Sequence, residues 1–522
     1  MPTSSTILLT GATDGLGLAL ARHYQAQGSH LILLGRRPLA TLDHTLFTVE
    51  NYCSLDLAIP DCAVIFLSWL HERSIGTINL VIHNAAIGYV GPVAAQTGEN
   101  IRQLVAVNLQ APIALTHALL PLVEAAQGKF VFISSVAAAL PAPDYAVYAA
   151  TKAALDGFVR NWQVELAAEQ RPITAQLIHP GAIRTNLHAK SGADLAPLQW
   201  DKFPSAEHIA AQVVHAINTN RHAVTLGLAN RLGQFAGRHL PSLVDWTIAR
   251  TRPITALSHA PAINKPVKPH CLITGAADGI GKALAHTFAA AGYTITGIDI
   301  DAERALRTQA ELINRGGAAR FLLADLAQPD NLARTIIMLK DRPPLDVLVH
   351  NAGINAVGPF ATSDPARQRA VIEVNFTAPL LLTAALLNEK RLNPGGSLVF
   401  IVSLSHFVGY PGAAVYAASK DGLAAYARSV RLAVAPLGIR VLTVYPGPTR
   451  TEHARRHSPD NRREGRRMAP QDLARQILRA VQTGKQRLIP GVGNRIFARL
   501  GRLFPGLMAQ MMRRTIFDKL RA

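Results

Sequence analysis

Two tyrosine–lysine pairs are the first features of this sequence whose types and spacing could do chemistry. They are Tyr148 with Lys152 and Tyr416 with Lys420. Residues four apart share one face of a helix, and an ammonium beside a phenol stabilises the phenolate and lowers its pKa from about 10. Such a pair can exchange a proton near neutral pH. A single tyrosine–lysine pair on a solvent-exposed helix is weak evidence for a catalytic site. The surrounding sequence decides whether these two pairs are functional.

That surrounding sequence is duplicated. The stretch LLTGATDGLG recurs as LITGAADGIG, which aligns Gly11 with Gly275 at an offset of 264 residues, and the tyrosines align at an offset of 268. A chain of 522 residues is long enough for two α/β units. We therefore expect a first domain over residues 1–250, a proline-containing linker over 251–269 and a second domain over 270–522.

The pattern of apolar runs predicts the fold class. Runs such as TILLT, HLILLG and FVFISS alternate with helical patterns, which is typical of a doubly wound parallel sheet covered on both faces. Each glycine-rich loop follows a strand and opens a helix, where glycine allows a phosphate to approach the backbone and the helix N-terminus. The prediction is an α/β protein with two Rossmann-type domains in tandem.

Composition narrows the function classes. The net charge of +19 indicates that the protein could bind an anionic partner. Nucleic acid is not expected to be that partner, because no aromatic side chains accompany the arginines near the C-terminus. Three scattered cysteines indicate a reducing compartment and no metal site. The N-terminus lacks the pattern of a signal peptide or membrane span, so a cytoplasmic location is expected, with peripheral membrane contact as an alternative.

Six ordered motifs occur in each half, and together they resemble the short-chain dehydrogenase/reductase family. They are TGxxxGxG, a NAG-like strand end, an isolated asparagine, a serine, YxxxK and PGxxxT. The resemblance implies a seven-stranded parallel Rossmann-type sheet in each half. It also implies hydride transfer between a nicotinamide cofactor and a carbonyl or secondary alcohol. One departure is Ala86, where the family usually has glycine, and a methyl group there is expected to tighten the cofactor pocket.

The resemblance assigns a catalytic tetrad to each half. Tyrosine donates the proton, lysine tunes it and holds the nicotinamide ribose, serine orients the substrate oxygen, and asparagine holds a water linking lysine to solvent. The serines were identified as the ones thirteen residues before their tyrosines. The two tetrads are Asn108, Ser135, Tyr148 and Lys152, and Asn375, Ser403, Tyr416 and Lys420.

Cofactor-binding residues follow from the same resemblance, and the tyrosines and lysines above belong to them too. In the first half the others are Gly11, Gly15, Leu16, Gly17, Arg36, Arg37, Asp56, Asn84, Pro180, Gly181 and Thr185. In the second half they are Gly275, Gly279, Ile280, Gly281, Asp299, Asp325, Asn351, Pro446, Gly447 and Thr451.

The end of the second strand predicts a different cofactor for each half. Asp299 can bind the adenosine ribose hydroxyls and repel a 2′-phosphate, which favours NAD. In the first half the residue that aligns with Asp299 is Gly35, and Arg36 and Arg37 follow it. The missing carboxylate and the two positive charges favour NADP, whereas the acidic Asp14 in the glycine loop disfavours it. One half could then oxidise an alcohol and the other reduce a carbonyl, inverting a hydroxyl centre. Tandem reductases with separate or identical substrates fit equally well.

Two C-terminal segments bear on substrate and partners. The expected lid of the second half carries Arg455, Arg456, Arg462, Arg463, Arg466 and Arg467. These arginines suit an acyl-coenzyme A, an acidic carrier protein or anionic headgroups, or they form a solvated charge run. The following tail alternates apolar residues with arginines, as membrane-surface helices do, and Pro505 should break it.

The expected activity is NAD(P)-dependent oxidoreduction of an apolar or lipid-like carbonyl or alcohol. The alternative is a nucleotide-sensing or membrane-surface binding protein that keeps the fold without turnover. Because family members usually pair through the helices that carry the asparagine and YxxxK, the tandem is expected to form an intramolecular pseudo-dimer. A monomer is then expected, with a homodimer as the alternative.

Overall fold

The computed structural model describes residues 5–192, 200–251, 268–458, 460–462 and 464–521. Most of the expected linker over 251–269 therefore lies outside the described residues, and so does Arg463 of the lid. The domain boundaries proposed from the sequence stay a prediction.

The first half forms one parallel sheet with helices on both faces. Its strands are β1 (Thr6–Thr10), β2 (His30–Gly35), β3 (Tyr52–Ser54), β4 (Leu80–His83), β5 (Lys129–Ile133), β6 (Thr174–His179) and β7 (Ala223–Thr225). Its helices are α1 (Gly15–Ala26), α2 (Cys62–Glu72), α3 (Gly98–Val105), α4 (Ala111–Ala125), α5 (Ala146–Glu169), α6 (Asn186–Lys190), α7 (Ala206–Ile217), α8 (Leu228–His239) and α9 (Pro241–Thr251). The sheet order is β3-β2-β1-β4-β5-β6-β7.

The second half repeats this arrangement. Its strands are β8 (His270–Thr274), β9 (Thr294–Asp299), β10 (Ala319–Leu323), β11 (Leu345–His350), β12 (Leu392–Ile401), β13 (Arg440–Val444) and β14 (Arg487–Leu488). Its helices are α10 (Gly279–Ala290), α11 (Ala302–Asn314), α12 (Pro329–Lys340), α13 (Pro365–Ile372), α14 (Ala378–Asn388), α15 (Ser405–Val408), α16 (Ala414–Val434), α17 (Glu452–His457), α18 (Pro470–Gln482), α19 (Val492–Leu503), α20 (Pro505–Met512) and α21 (Asp518–Arg521). The sheet order is β10-β9-β8-β11-β12-β13-β14.

These sheets confirm the predicted fold class. The central strands are buried along almost their whole length, as expected for strands covered on both faces. In each sheet the strand order reverses between the first strand and the fourth, at β1/β4 and at β8/β11. A crevice opens at such a reversal, outside the carboxyl ends of the strands, and ligands of this fold class bind there.

The two halves contact each other mainly through α5 and α16. The helices approach closely because small residues line the crossing: a Cβ on Gly422 would lie 2.9 Å from the Ala154 Cβ, and one on Gly157 would lie 2.6 Å from Asp421 Oδ2. Arg160 donates to that same carboxylate at 2.8 Å. The crossing therefore combines close backbone packing with an ion pair between the halves.

Two helical stretches are long and apolar enough to cross a membrane by length and composition, Gly98–Ala125 and Pro365–Asn388. Most of the apolar window of each is buried inside the protein, 67% and 78% respectively. Each runs through a short π-helical turn in the middle, at Ala106–Gln110 and at Glu373–Thr377. Packing within the core accounts for their apolar character.

The C-terminal tail is broken at Pro505, as predicted. Helix α19 ends at Leu503 and α20 begins at Pro505, where a ring without an N–H is tolerated at the first helical position. The tail then returns to the body of the protein, because Phe517 is fully buried. Its ring lies 3.2 Å from the place that a Cβ on Gly412 would take.

Candidate active sites

The glycine loops form two tight cradles at the ends of β1 and β8. A Cβ on Gly17 would lie 2.0 Å from the Gly11 carbonyl oxygen, and one on Gly281 would lie 1.8 Å from that of Gly275. Both Gly11 and Gly275 also have positive φ, which L side chains rarely adopt. Only glycine fits these places, and the space fits the close approach of a dinucleotide pyrophosphate to the backbone.

The PGxxxT motifs lie beside the same helix N-termini. The Thr185 methyl lies 3.0 Å from the place of a Cβ on Gly15, and Thr451 makes the same approach to Gly279 at 3.3 Å. Pro180 accepts a hydrogen bond from the Val136 N–H. The other predicted residues of these segments follow the same pattern: Leu16 and Ile280 are the second residues of α1 and α10, Gly181 abuts Asn230, Pro446 accepts from the Leu404 N–H, and Gly447 abuts Asn494.

Asn84 and Asn351 hold the glycine loops rather than face open space. The Asn84 side-chain amide donates to the carbonyls of Thr10 at 3.0 Å and Gly11 at 3.2 Å. Asn351 donates to the carbonyls of Thr274 and Gly275, both at 3.0 Å. Their role is to fix the loop that would contact the cofactor.

The structure brings the members of each tetrad together at the end of the fifth strand of each sheet. Tyr148 and Lys152 lie on α5, with Lys152 Nζ 5.8 Å from the Tyr148 ring centroid, and the Tyr416–Lys420 separation on α16 is identical. Each lysine donates to a backbone carbonyl at the end of that strand, Lys152 to Ile133 at 2.9 Å and Lys420 to Ile401 at 3.1 Å. Both lysines are buried.

The pKa shifts of these groups run against one expectation. Burial raises the pKa of Tyr148 to about 12, and hydrogen bonding with the Ser135 hydroxyl only partly offsets this. Tyr416 shifts in the same direction for the same reason, opposed by Ser403. Burial also lowers the pKa of both lysines, Lys152 and Lys420, to about 8. Desolvation of the phenolate therefore shifts both tyrosine pKa values in the direction opposite to the lowering expected from lysine. The phenols are protonated at neutral pH.

The asparagine of each predicted tetrad lies in the π-helical turn described above. Asn108 donates to the Ile87 carbonyl at 3.0 Å and accepts from the Ile87 N–H at 2.9 Å. Asn375 makes the same pair of bonds with Ile354, at 2.9 and 2.8 Å. A π turn inside an α-helix is uncommon and frequent at functional sites. It points the amide into the loop that follows the fourth strand of each sheet.

The glycine that Ala86 replaces lies between asparagine and lysine. In the second half its counterpart is Gly353, where a Cβ would lie 3.2 Å from Asn375 Oδ1 and 3.3 Å from Lys420 Nζ. The Ala86 methyl thus corresponds to the space between the two polar groups of the tetrad. We expect the Ala86 methyl to change the hydration of the asparagine and the lysine, in addition to any effect on the cofactor pocket.

The residues that the sequence predicts at the adenosine end of each site have different neighbours in the two halves. Asp299 accepts from the Ala277 N–H at 2.8 Å, which links the end of β9 to the glycine loop. In the first half Arg36 and Arg37 are exposed, and Arg37 reaches the carbonyls of Thr13 and Thr41. The carboxylate of Asp14, counted against NADP, is paired with Lys190 at 2.5 Å.

Asp56 and Asp325 occupy equivalent turns after the third strand of each sheet. Each accepts a hydrogen bond from the backbone N–H two residues on, Asp56 from Ala58 and Asp325 from Ala327, both at 2.9 Å. These bonds fix the orientation of each carboxylate just after the third strand.

Two aromatic residues beside the tetrad tyrosines are not predicted by the sequence pattern. The Tyr145 ring meets the Tyr148 ring edge to face at 6.0 Å, and Tyr410 meets Tyr416 in the same way at 5.9 Å. They come from non-equivalent places in the preceding loops, since the tyrosine offset would align Tyr410 with Ala142. Alignment of the halves therefore gave no signal for them.

The arginine-rich lid is largely paired within itself. Arg455 forms a bidentate contact with Glu464, Arg462 pairs with Asp460, and Arg456 pairs with Glu452. Arg467 donates to Ser458, to Asn461 and to the Asp460 carbonyl. These contacts favour a structural role for most of the run, and leave Arg466 beside a surface cavity of about 820 Å³.

Comparison with known proteins gives the same family for both halves. The family model described as short chain dehydrogenase matches residues 5–196 and 269–462. A cyclopentanol dehydrogenase of Comamonas testosteroni is 33% identical over 179 residues, covering 34% of this chain and 71% of that protein. A 1-deoxy-11-beta-hydroxypentalenate dehydrogenase of Streptomyces exfoliatus is 38% identical over 181 residues, covering 34% of this chain and 66% of that protein.

Among solved structures, a short-chain dehydrogenase from Sphingobium yanoikuyae in complex with NADPH is similar. It is 29% identical, with a TM-score of 0.40, and the match covers 47% of this chain and 95% of that one. The family matches span more than half of the residues here. The chain therefore belongs to the short-chain dehydrogenase family, with one family domain in each half, and is an oxidoreductase of alcohol and carbonyl groups.

Proposed function

We propose that both halves are working NAD(P)-dependent sites for a carbonyl or secondary alcohol. The observation that carries this proposal is that both tetrads are complete and have the same geometry, down to the 5.8 Å lysine–tyrosine separation. In each site the protonated tyrosine donates to the substrate oxygen, the serine hydroxyl orients that oxygen, and the buried lysine holds the nicotinamide ribose. The nicotinamide cofactor, when bound, supplies or accepts the hydride.

The two sites are proposed to use different cofactors, NADP in the first half and NAD in the second. Arg37 lies against the glycine loop at Thr13, where its charge would attract a 2′-phosphate. In the second half Asp299, whose counterpart is Gly35 two residues before Arg37, would repel one. A unit-charge contact near 4 Å is worth roughly 4 kcal/mol at an effective dielectric of about 20 before desolvation, so strong discrimination is available.

Calorimetric titration with NADPH and, separately, with NADH tests the divided cofactor use. One tight site for each nucleotide is expected. Joint replacement Arg36→Ala and Arg37→Ala should abolish NADPH binding and leave NADH binding unchanged, and Asp299→Ala is the matched change in the second half. Two equivalent sites for one nucleotide would contradict the proposal.

An apolar or lipid-like substrate and a peripheral membrane contact are proposed from the exposed faces of α8 and α19. Their large apolar side chains are more than a third exposed: Leu228, Leu232, Phe235, Val492, Ile496, Phe497, Leu500 and Leu503. Neither helix contains an acidic residue, and Arg231, Arg495 and Arg499 are exposed on them. An apolar face with flanking arginines suits an anionic membrane interface.

Both helices lie over the loops that lead to the catalytic tyrosines. A Cβ on Gly237 of α8 would meet the Ala139 carbonyl oxygen at 2.4 Å, and one on Gly501 of α19 would meet that of Phe407 at 2.1 Å. An apolar substrate delivered at these faces would therefore arrive next to the sites.

Co-sedimentation with phosphatidylserine-containing vesicles tests the membrane contact. The full chain is expected to bind these vesicles and not neutral phosphatidylcholine vesicles, and salt should weaken the binding. Phe235→Asp together with Ile496→Asp should abolish it. Equal binding by that double variant would contradict the proposal.

A further inference from the structure

Two side chains of the first half reach across the α5–α16 contact and hold the loop that precedes the catalytic tyrosine of the second half. Glu165 on α5 is 1% exposed. Its Oε1 accepts from the Gly412 N–H at 2.7 Å and its Oε2 from the Phe360 N–H at 2.9 Å. One turn earlier, Asn161 Oδ1 accepts from the Tyr410 N–H at 2.5 Å.

The loop held in this way leads straight into the second catalytic centre. Gly412 lies two residues before α16 begins and four before Tyr416, and its φ of +83° is one that L side chains rarely adopt. Its carbonyl accepts from the Gly358 N–H at 2.8 Å. The Gly412 carbonyl is therefore held by its own half, and the Gly412 N–H is held by Glu165 of the other half. The loop also presents the Tyr410 ring to Tyr416.

The second half contacts the corresponding loop of the first half through different groups, and among them Arg428 Nη1 donates to the Ala139 carbonyl at 2.9 Å. At the tyrosine offset of 268, Asn161 aligns with Ser429 and Glu165 aligns with Ala433. The Ser429 hydroxyl accepts from the Ala142 N–H at 3.2 Å in the loop before Tyr148. Asn161 and Ser429 therefore make the same kind of contact, each to a backbone N–H in the other half. Alanine offers no side-chain acceptor, so no carboxylate returns to the first site from Ala433.

We propose that Glu165 of the first half is a positioning residue for the second catalytic centre and not for the first. The inference rests on the proposed activity of the second site. The buried Glu165 carboxyl offers one oxygen to each of two backbone N–H groups. A buried N–H that loses its acceptor keeps the full cost of its desolvation.

Stability alone does not favour a buried glutamate at position 165, and this agrees with a positioning role. Burial raises the pKa of its carboxyl to about 8, opposed by the two backbone N–H donors and by Arg171. An apolar residue in that core location would avoid the desolvation cost. The chain instead places an ionisable group there, against Phe360, whose ring packs on Phe158 and Trp162.

Amide hydrogen–deuterium exchange of the full-length chain tests this proposal without any substrate. Glu165→Ala is expected to speed exchange of the Phe360 and Gly412 amides by roughly 10- to 100-fold, since both buried N–H groups lose their acceptor. Exchange around Ala142 in the first half should keep its rate. Unchanged exchange at both second-half amides, or the same acceleration in both halves, would overturn the proposal.

Two control variants sharpen the exchange result. Glu165→Gln keeps one carbonyl oxygen for one amide and turns an NH₂ group towards the other, so an intermediate acceleration is expected. Ser429→Ala should accelerate exchange at Ala142 only. An effect of Ser429→Ala on the Gly412 amide would contradict the assignment of that amide to Glu165.

Turnover gives the second readout, with cyclopentanol and NAD as one probe and a panel of cyclic ketones with NADPH or NADH as the other. In a Tyr148→Phe background only the second site reports, and adding Glu165→Ala should lower kcat about tenfold with little change in nucleotide affinity. In a Tyr416→Phe background the same change should alter kcat less than twofold. An equal loss in both backgrounds would indicate a merely structural role and overturn the proposal. If neither background turns over any probe, the proposed function fails, and the exchange result still decides on Glu165.

Discussion

Lys152 and Lys420 are the residues on which the pH dependence of the two sites is expected to turn. Burial lowers the pKa of each to about 8, while the catalytic phenols stay protonated well above that pH. Ketone reduction needs a protonated tyrosine and a charged lysine, and both conditions hold below about pH 8. We therefore expect kcat/KM for reduction to be flat up to about pH 8 and to fall above it, measured on the Tyr148→Phe and Tyr416→Phe variants separately.

The sign of the stability change separates this effect from unfolding. A lysine whose pKa is lowered in the folded state binds fewer protons there than in the unfolded chain, between about pH 8 and its ordinary pKa of 10.5. The contribution of both lysines to the free energy of unfolding should thus rise across the window in which activity falls. A loss of activity that follows a loss of folded protein in urea titrations would contradict this account.

Gly353 and Ala86 make a reciprocal pair of substitutions at equivalent places. A methyl group on Gly353 would crowd Asn375 Oδ1 and Lys420 Nζ at 3.2 and 3.3 Å. Gly353→Ala should lower kcat of the second site several-fold with little effect on nucleotide affinity, and Ala86→Gly should raise kcat of the first. Steady-state kinetics in the single-site backgrounds provide the measurement. Unchanged kcat in both would show that the space between asparagine and lysine is not used.

At the level of elements, the glycine cradles should be the least tolerant places in each sheet. A Cβ on Gly17 would meet the Gly11 carbonyl at 2.0 Å and the Asn84 amide at 2.7 Å, so the turn between β1 and α1 would have to shift. Gly17→Ala is expected to cost about 3 kcal/mol in the free energy of unfolding, in the upper range for overpacking. Chemical denaturation gives the value, together with the loss of nucleotide binding in the first half.

Gly233 supplies the control for that substitution. It lies on α8, and a Cβ there would have nothing within 4 Å. Gly233→Ala should therefore stabilise the chain by up to about 1 kcal/mol, because alanine favours the helix. Equal effects of the two alanine substitutions would contradict the packing argument.

The sequence was sufficient to predict most elements and the residues they carry. Apolar runs gave the strands, glycine loops gave the starts of α1 and α10, and Pro505 gave the break between α19 and α20. It could not give the π-helical turns at Asn108 and Asn375, because a π turn has no distinct apolar period. Nor could it give the direction of the Tyr148 pKa shift, which depends on burial that no local spacing encodes.

For the whole molecule, the contact between α5 and α16 predicts a monomer. The proposal is that this crossing takes the place of a subunit contact, since the surface that a second chain would use is already occupied. Light scattering should give a mass near 56.0 kDa, and twice that mass would contradict the pseudo-dimer. Gly157→Leu should weaken the crossing, because its side chain would collide with Asp421, and should loosen both sites together.

The sequence predicted which helices would join the halves, but it could not predict the individual side-chain contacts between them. Glu165 meets Phe360 and Gly412 across separations of 195 and 247 residues, and its only local signal is an acidic residue on a largely apolar face of α5. A carboxylate of that kind is usually assigned to solvent. Comparing the two halves identified the tetrads because they occur in both. The same comparison could not identify Glu165, Tyr145 and Tyr410, which have no equivalent in the other half.

The glycines at the α5–α16 crossing also limit how the two copies can drift apart. Gly422 faces Ala154, and Gly157 faces Asp421, so a larger side chain acquired by one copy must be matched by a smaller one in the other. Each copy is thereby part of the environment that selects substitutions in its twin. Duplicated genes usually become free to diverge because one copy is spare, and in this chain neither copy is spare at that crossing.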